Sequence, residues 1–172
     1  MTAPTTAGAA PATTGAAPGV VLAGRTFTIT LPPGLPLLNA NERIFHHQRA
    51  KVTAELRGVA QEACSEDPAM RAALAAANPG PVMHRAHIVG ILHPARGGRR
   101  DPANWYPSFK ACVDGLVDAG VLEDDDHTRV IGPDMRLGPV VKKGQLVLRV
   151  REILTDAQWD TAQHLTLAGS AL

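Results

Sequence analysis

Residues 82–126 read VMHRAHIVGILHPARGGRRDPANWYPSFKACVDGLVDAGVLEDDD, and the change of period inside this stretch decides the fold. From Val82 to His93 the pattern is β-like. Ala86, Ile88, Gly90 and Leu92 fall on one face, while the more mixed set Arg85, His87, Val89, Ile91 and His93 falls on the other. From Pro107 to Asp118 the apolar residues are Phe109, Cys112, Val113, Leu116 and Val117, the stripe of an amphipathic helix. Pro107 suits the first helical turn and Gly120 suits the stop. Pro94 to Arg100 forms a Gly/Arg turn between the two, and the acidic run Glu123-Asp124-Asp125-Asp126 follows the helix.

Outward from this unit, Arg25 to Leu31 alternates as a first strand with Phe27, Ile29 and Leu31 on one side, and Pro32-Pro33-Gly34 ends it. A long helix is predicted from about Glu42 to Cys64 and a second from Pro68 to Ala77, with Asn78-Pro79-Gly80-Pro81 as a breaker. Thr128 to Ile131 reads as a short strand. Val140-Val141 and Gln145 to Ile153 flank Lys142-Lys143-Gly144, which reads as a hairpin-type turn or bulge. Thr155 to Leu167 is expected to be a terminal helix anchored by Trp159. The order β-α-α-β-α-β-β predicts an α+β fold, with helices on one face of a small mixed sheet.

Composition narrows the classes. The chain has 172 residues, enough for one domain with a real core, and its 17 basic and 16 acidic residues give a net charge of +1, which excludes a uniformly basic coat. Basic residues cluster instead, with Arg96, Arg99 and Arg100 in one turn and Lys142 and Lys143 adjacent, and such patches suit phosphates. Residues 1–23 are Ala-, Thr- and Pro-rich and are expected to be a disordered tail; they lack the basic start and dense apolar segment of a secretion signal. No 18-residue apolar run occurs, so no membrane span is expected. Cys64 and Cys112 lie in apolar helical patterns without metal-ligand spacing, and they read as buried hydrophobes in a reducing cytoplasm. Three organisational units follow: the tail, a domain over 24–154, and a C-terminal helix or tail over 155–172.

The charge around the central helix is the candidate chemistry. Asp101 stands just before the helix, Lys110 one turn into it, and Asp124, Asp125 and Asp126 after the turn that leaves it. Carboxylates at the two ends of one helix can supply hard oxygens to Mg²⁺, with Mn²⁺ as an alternative, and Lys110 could neutralise a phosphate or a leaving oxygen. A solvated acidic loop and an i,i+4 surface pair of Lys110 with Asp114 are the blander alternatives. His84 and His87 differ in parity, which argues against joint zinc ligation, and no organic cofactor is implied.

With these residues in view, the chain resembles the RusA family of Holliday-junction resolvases from about Phe27 to Ile153. The likeness rests on several features in order. They are the opening strand into a Pro-rich turn, Asn39 to Arg43, the strand ending at His93-Pro94, and the Arg100-Asp101 turn with Asn104. The helix with Lys110 and Asp114, the Gly120-Val121-Leu122-Glu123-Asp124-Asp125 turn and the Lys143-Gly144-Gln145-Leu146-Val147-Leu148 segment complete the set. The resemblance implies a RusA-like α+β fold and a Mg²⁺-dependent endodeoxyribonuclease. It implies a homodimer that binds four-way junctions and makes paired nicks in recombination or repair. Catalytic roles fall on Asp101, Lys110 and Asp125, metal binding on Asp101, Asp124 and Asp125, and DNA contacts on Arg96, Arg99, Arg100, Lys142 and Lys143. Two departures stand out: the signature's second metal-binding Asp falls on Ala103, and three extra residues lie within Trp105 to Pro107. Asp126 could substitute, Asn104 could add a neutral oxygen, or the chain could bind junctions without cutting. A small phage-type α+β interaction protein is the remaining alternative.

Overall fold

Four alternating segments pair into one mixed sheet in the computed structural model, which describes residues 24–169. In chain order the elements are β1 (Thr26–Thr30), α1 (His46–Glu66), α2 (Pro68–Ala77), β2 (Ala86–His93), a 3-10 turn (Pro102–Trp105), α3 (Tyr106–Asp118), β3 (Val130–Leu137), β4 (Gln145–Glu152) and α4 (Asp156–Gly169). The spatial order is β1-β4-β2-β3, with β4 antiparallel to both of its neighbours and β2 parallel to β3. A parallel pair needs a crossover, and α3 is that crossover. The α+β class expected from the sequence is the one observed. The predicted tail, residues 1–23, lies outside the described residues.

Alternation in β2 sets the core. Its face of Ala86, Ile88, Gly90 and Leu92 is buried, joined by Ile29 from β1 and Leu146, Leu148 and Val150 from β4. Phe109 of α3 is fully buried against this face, and a Cβ on Gly90 would stand 2.7 Å from its ring. A Cβ on Gly115 would similarly lie 2.3 Å from the Arg57 carbonyl oxygen, so α3 and α1 touch backbone to backbone there. The buried Ser108 hydroxyl accepts a hydrogen bond from the Leu38 N–H (2.7 Å) and donates to the Leu38 carbonyl (3.0 Å), fastening the Pro-rich loop to α3.

Several boundaries differ from expectation. The long helix begins at His46, four residues later than its periodicity suggested, with Phe45 as a cap that makes no side-chain bond. The short strand predicted over Thr128 to Ile131 is β3, which runs on through Gly132-Pro133; the ladder to β2 shifts register there, between His87 and Val89. Lys142-Lys143-Gly144 does not join neighbouring strands, because β3 and β4 flank β2 on opposite sides. The connection instead crosses the end of β2, tied by Gly138 N–H to the Leu92 carbonyl (2.9 Å) and Val141 N–H to the Pro94 carbonyl (3.1 Å). Trp159 does anchor α4: the Arg85 guanidinium lies 5.5 Å from its ring centre and pairs with Asp156 at 2.7 Å. Helix α4 closes a cavity of about 410 Å³ with His87 and Arg151, at the foot of the sheet face opposite Phe109. Among the described residues no helix is long and apolar enough to cross a membrane.

Candidate functional site

Lys110 is the residue on which distant parts of the sequence converge. It stands on the second turn of α3, and its ammonium donates to Asp114 Oδ1 and Asp125 Oδ2, each at 2.5 Å. Asp114 is one helical turn further along the same helix. Asp125 comes from the loop that leaves α3 and folds back beside it. That fold-back begins where Val121 and Leu122 are buried in the core, with the Met83 N–H bonded to the Val121 carbonyl at 3.1 Å. Partial burial pulls the Lys110 pKa down, but its hydrogen bonds to Asp114 and Asp125 outweigh this and leave it above the ordinary lysine value. The group is a fixed cation.

The acidic run divides its labour. Glu123 pairs with Arg129 at 2.6 Å, and Asp126 lies 3.5 Å from the same guanidinium. Asp126 also accepts from the Thr128 hydroxyl (2.5 Å) and N–H (2.7 Å), which hold its carboxyl below the usual range. Both of its oxygens are therefore engaged in shaping the turn. One Asp124 oxygen accepts from the Asp125 N–H at 2.7 Å. The sequence thus names four adjacent acids as one cluster, whereas the structure assigns Asp125 to Lys110 and the flanking Glu123 and Asp126 to Arg129.

Asp101 caps the 3-10 turn, its Oδ1 accepting from the Ala103 N–H at 3.0 Å. That turn leads directly into α3, so Asp101 lies at the entrance of the Lys110 helix. Ala103 is exposed on the same turn and brings no oxygen from its side chain. Asn104 is held through its backbone, its carbonyl accepting from the Ala40 N–H at 2.7 Å. Among the described residues, no three His, Cys, Asp or Glu side chains gather in an arrangement that could hold a metal ion. Any cation would have to be held by fewer side chains, supplemented by water and substrate.

The two basic turns meet. Val141 bonds to Pro94, and a Cβ on Gly144 would lie 3.4 Å from the Ala95 N and the His93 carbonyl. Arg96, Lys142 and Lys143 are thus brought to one end of the sheet from more than 40 residues apart, and all three are exposed, as is Arg99. Arg100 is half-buried, with its guanidinium 6.0 Å from the Trp105 ring centre. Its Nε is shut off from solvent with no hydrogen-bond partner among the described residues.

Sequence reasoning missed one close contact, His87 Nε2 to Asp134 Oδ2 at 2.8 Å. Nothing in the letters signals it, because the Gly132-Pro133 irregularity in β3 decides which side chain stands beside His87. Cys64 and Cys112 are free and buried, and burial pushes both thiols up to about 12, which makes them inert packing residues. No family model matches the chain, and no curated protein matches it. The likeness to junction resolvases therefore rests on the motifs quoted from the sequence.

Proposed function

We propose that this chain is a Mg²⁺-dependent endodeoxyribonuclease of the RusA type. It would act in the cytoplasm as a homodimer that resolves four-way DNA junctions by paired phosphodiester hydrolysis. The observation that carries this reading is the Lys110 ammonium bridging Asp114 and Asp125, since it folds the acidic turn back onto the helix that Asp101 introduces. Mg²⁺ takes hard oxygens, usually one or two carboxylates completed by water and phosphate. Asp101, Asp124 and Asp125 are hard oxygen donors of that kind, of which no more than two would meet on one ion, and Mn²⁺ accepts the same ligands. When bound, the ion supplies charge neutralisation at the phosphoryl group and acidifies a water.

The chain's own residues do the rest. Lys110, held charged by its two aspartates, is suited to stabilising negative charge on the scissile phosphate or leaving oxygen, and is unsuited to taking a proton. Arg96, Arg99, Arg100, Lys142 and Lys143 offer positive charge at one end of the sheet for the DNA backbone. Paired incision of a two-fold symmetric junction asks for two identical sites related by a two-fold axis, which a homodimer provides.

A second reading, a junction-binding protein that does not cut, is favoured by Ala103 and by the internal cation already set against Asp125. Incubating the protein with a labelled four-way junction and Mg²⁺ separates the two. Resolution predicts paired nicks, a loss of about 100- to 1,000-fold in rate for Lys110→Met or Asp125→Asn, and a gain for Ala103→Asp. Tight junction binding without nicks, in the wild type and in Ala103→Asp alike, would establish the binding module and overturn the nuclease.

A further inference from the structure

We infer that the sheet face turned away from α1–α3 is a second nucleic-acid surface, which takes the phosphate backbone of duplex DNA along strand β4. The inference rests on the DNA reading above and adds residues which that reading does not use. Register fixes the face: Thr26, Arg151 and His87 form one cross-strand row, and Thr28, Arg149, Val89 and Asp134 form the next. Arg149 and Arg151 are exposed, and among the described residues no carboxylate forms a salt bridge with either. The acids nearby are otherwise engaged. Asp134 bonds to His87 at 2.8 Å, Glu152 pairs with Arg25 at 2.8 Å, and Asp156 pairs with Arg85 at 2.7 Å.

The shape agrees with the charge. A broad open hollow of about 540 Å³ is lined by Gly24, Thr26, His87, Val89, Arg149 and Arg151, so hydroxyl, imidazole and guanidinium groups border one depression. At its other end β4 begins at Gln145, directly after Lys142-Lys143-Gly144. From Gln145 to Arg151 the strand runs roughly 20 Å at about 3.4 Å per residue, with Gln145 and Val147 between the lysines at one end and Arg149 and Arg151 at the other. Duplex DNA carries one charge per about 1.7 Å of axis, so such a track spans about a dozen phosphate charges.

Two features choose the occupant. The strands' side of this face carries Thr, Arg, Val, Ile, His and Asp134 but no Phe, Tyr or Trp, and the nearby Trp159 is covered by Arg85. Little is therefore offered for stacking the bases of a single strand, and the duplex backbone is the better fit. Symmetrical pairing with a second copy would bring the two sets of Arg149 and Arg151 together, and like charges opposed across an interface are unfavourable. Because α3 packs on the opposite face, this track contacts a stretch of DNA other than the one at Lys110, as a branched substrate allows.

The test is fluorescence anisotropy of a labelled four-way junction and a linear duplex, titrated across salt, with wild type, Arg149→Glu/Arg151→Glu and Arg149→Lys/Arg151→Lys. The charge-reversed protein should bind both DNAs about 10- to 100-fold more weakly near 0.1 M salt, with the salt slope reduced by about two. The lysine pair should retain most of the affinity, and melting curves should overlay. Should the glutamate pair fail to fold, Arg149→Gln/Arg151→Gln gives the same readout. Unchanged affinity and slope, with the wild type binding DNA normally, would overturn the track while leaving the resolvase reading intact. A wild type that binds neither DNA would sink both. Two further results would also overturn it: loss of self-association in the charge-reversed protein, which would make the face a protein interface, and displacement by millimolar inorganic phosphate with no duplex contribution, which would make it a small-anion site.

Discussion

Ile88 and Ile91 are the same residue three positions apart on β2, yet they belong to different molecules in the energetic sense. Ile88 is fully buried between the sheet and α3, while Ile91 lies half-covered on the opposite face between Val147 of β4 and Arg136 of β3. One strand therefore writes two texts. Its even positions pack against α3, and its odd positions face a surface where Thr, His and Arg side chains mix with Val147 and where α4 stands at one end. Stability and recognition can then be altered separately, because a change on one face need not disturb the other.

The largest effect that sharpens this contrast is truncation of the two isoleucines. Ile88→Ala leaves a cavity in close-packed surroundings and should cost about 2–5 kcal/mol, whereas Ile91→Ala should cost roughly 1 kcal/mol or less. Urea unfolding of the two variants checks it. Equal losses would mean that the open face is covered in solution, and the two-face description would fail.

A smaller effect is expected at Ser108, a polar side chain inside the covered region. Its hydroxyl is the partner of both the N–H and the carbonyl of Leu38. Ser108→Ala strands those groups and should destabilise by about 1–3 kcal/mol. Hydrogen exchange at the Leu38 amide should rise by more than the global change in stability alone would give. If exchange there tracks global unfolding only, the Pro-rich loop is held by something other than this serine.

How far the letters carried depends on which physical signal encoded each element. The parity of β2 and most of the stripe of α3 were legible, since burial at Ala86, Ile88 and Leu92 and at Phe109, Cys112, Val113 and Leu116 follows from periodicity. Val117 of that stripe is only half-buried, and Ser108, Ala111 and Gly115 are buried outside it by the approach of α1 and the Pro-rich loop. β3 was legible only at its start, because Gly132-Pro133 reads locally as a turn while pairing with β2 carries the strand through it. The crossing of 138–144 over the end of β2 could not be read, because hairpin chemistry at Lys143-Gly144 is local and strand order is not. At the site, Asp101 and the acidic turn were expected to meet on one cation and Lys110 to pair with Asp114; the direct bond of Asp125 to Lys110 was not read from the sequence. Nor was the diversion of Glu123 and Asp126 to Arg129, since a run of four acids carries no mark of which one turns inward.

The smallest effect concerns the rim where β1 enters the sheet. Arg25 holds Glu152 through Nε and Nη2 at 2.8 Å each, and it also donates to the Val82 carbonyl, so one guanidinium ties β1, β4 and the approach to β2. The hydrogen bond from Arg25 keeps the Glu152 carboxyl below its ordinary value of 4.5, against the opposing pull of burial. A depressed carboxylate contributes stability that is fully present above its unfolded value and is lost as pH falls through the folded one. The wild type should therefore lose melting temperature as the pH falls below about 4.5, and Glu152→Gln should lose less. Because Arg25 is half exposed, the difference should be only about 0.5 kcal/mol. Asp118 and Asp126 are also depressed and titrate in both proteins, so the informative quantity is the gap between the two acid profiles. Parallel profiles from pH 7 to pH 3 would show that the rim is held by the Val82 contact and by packing, with the ion pair idle.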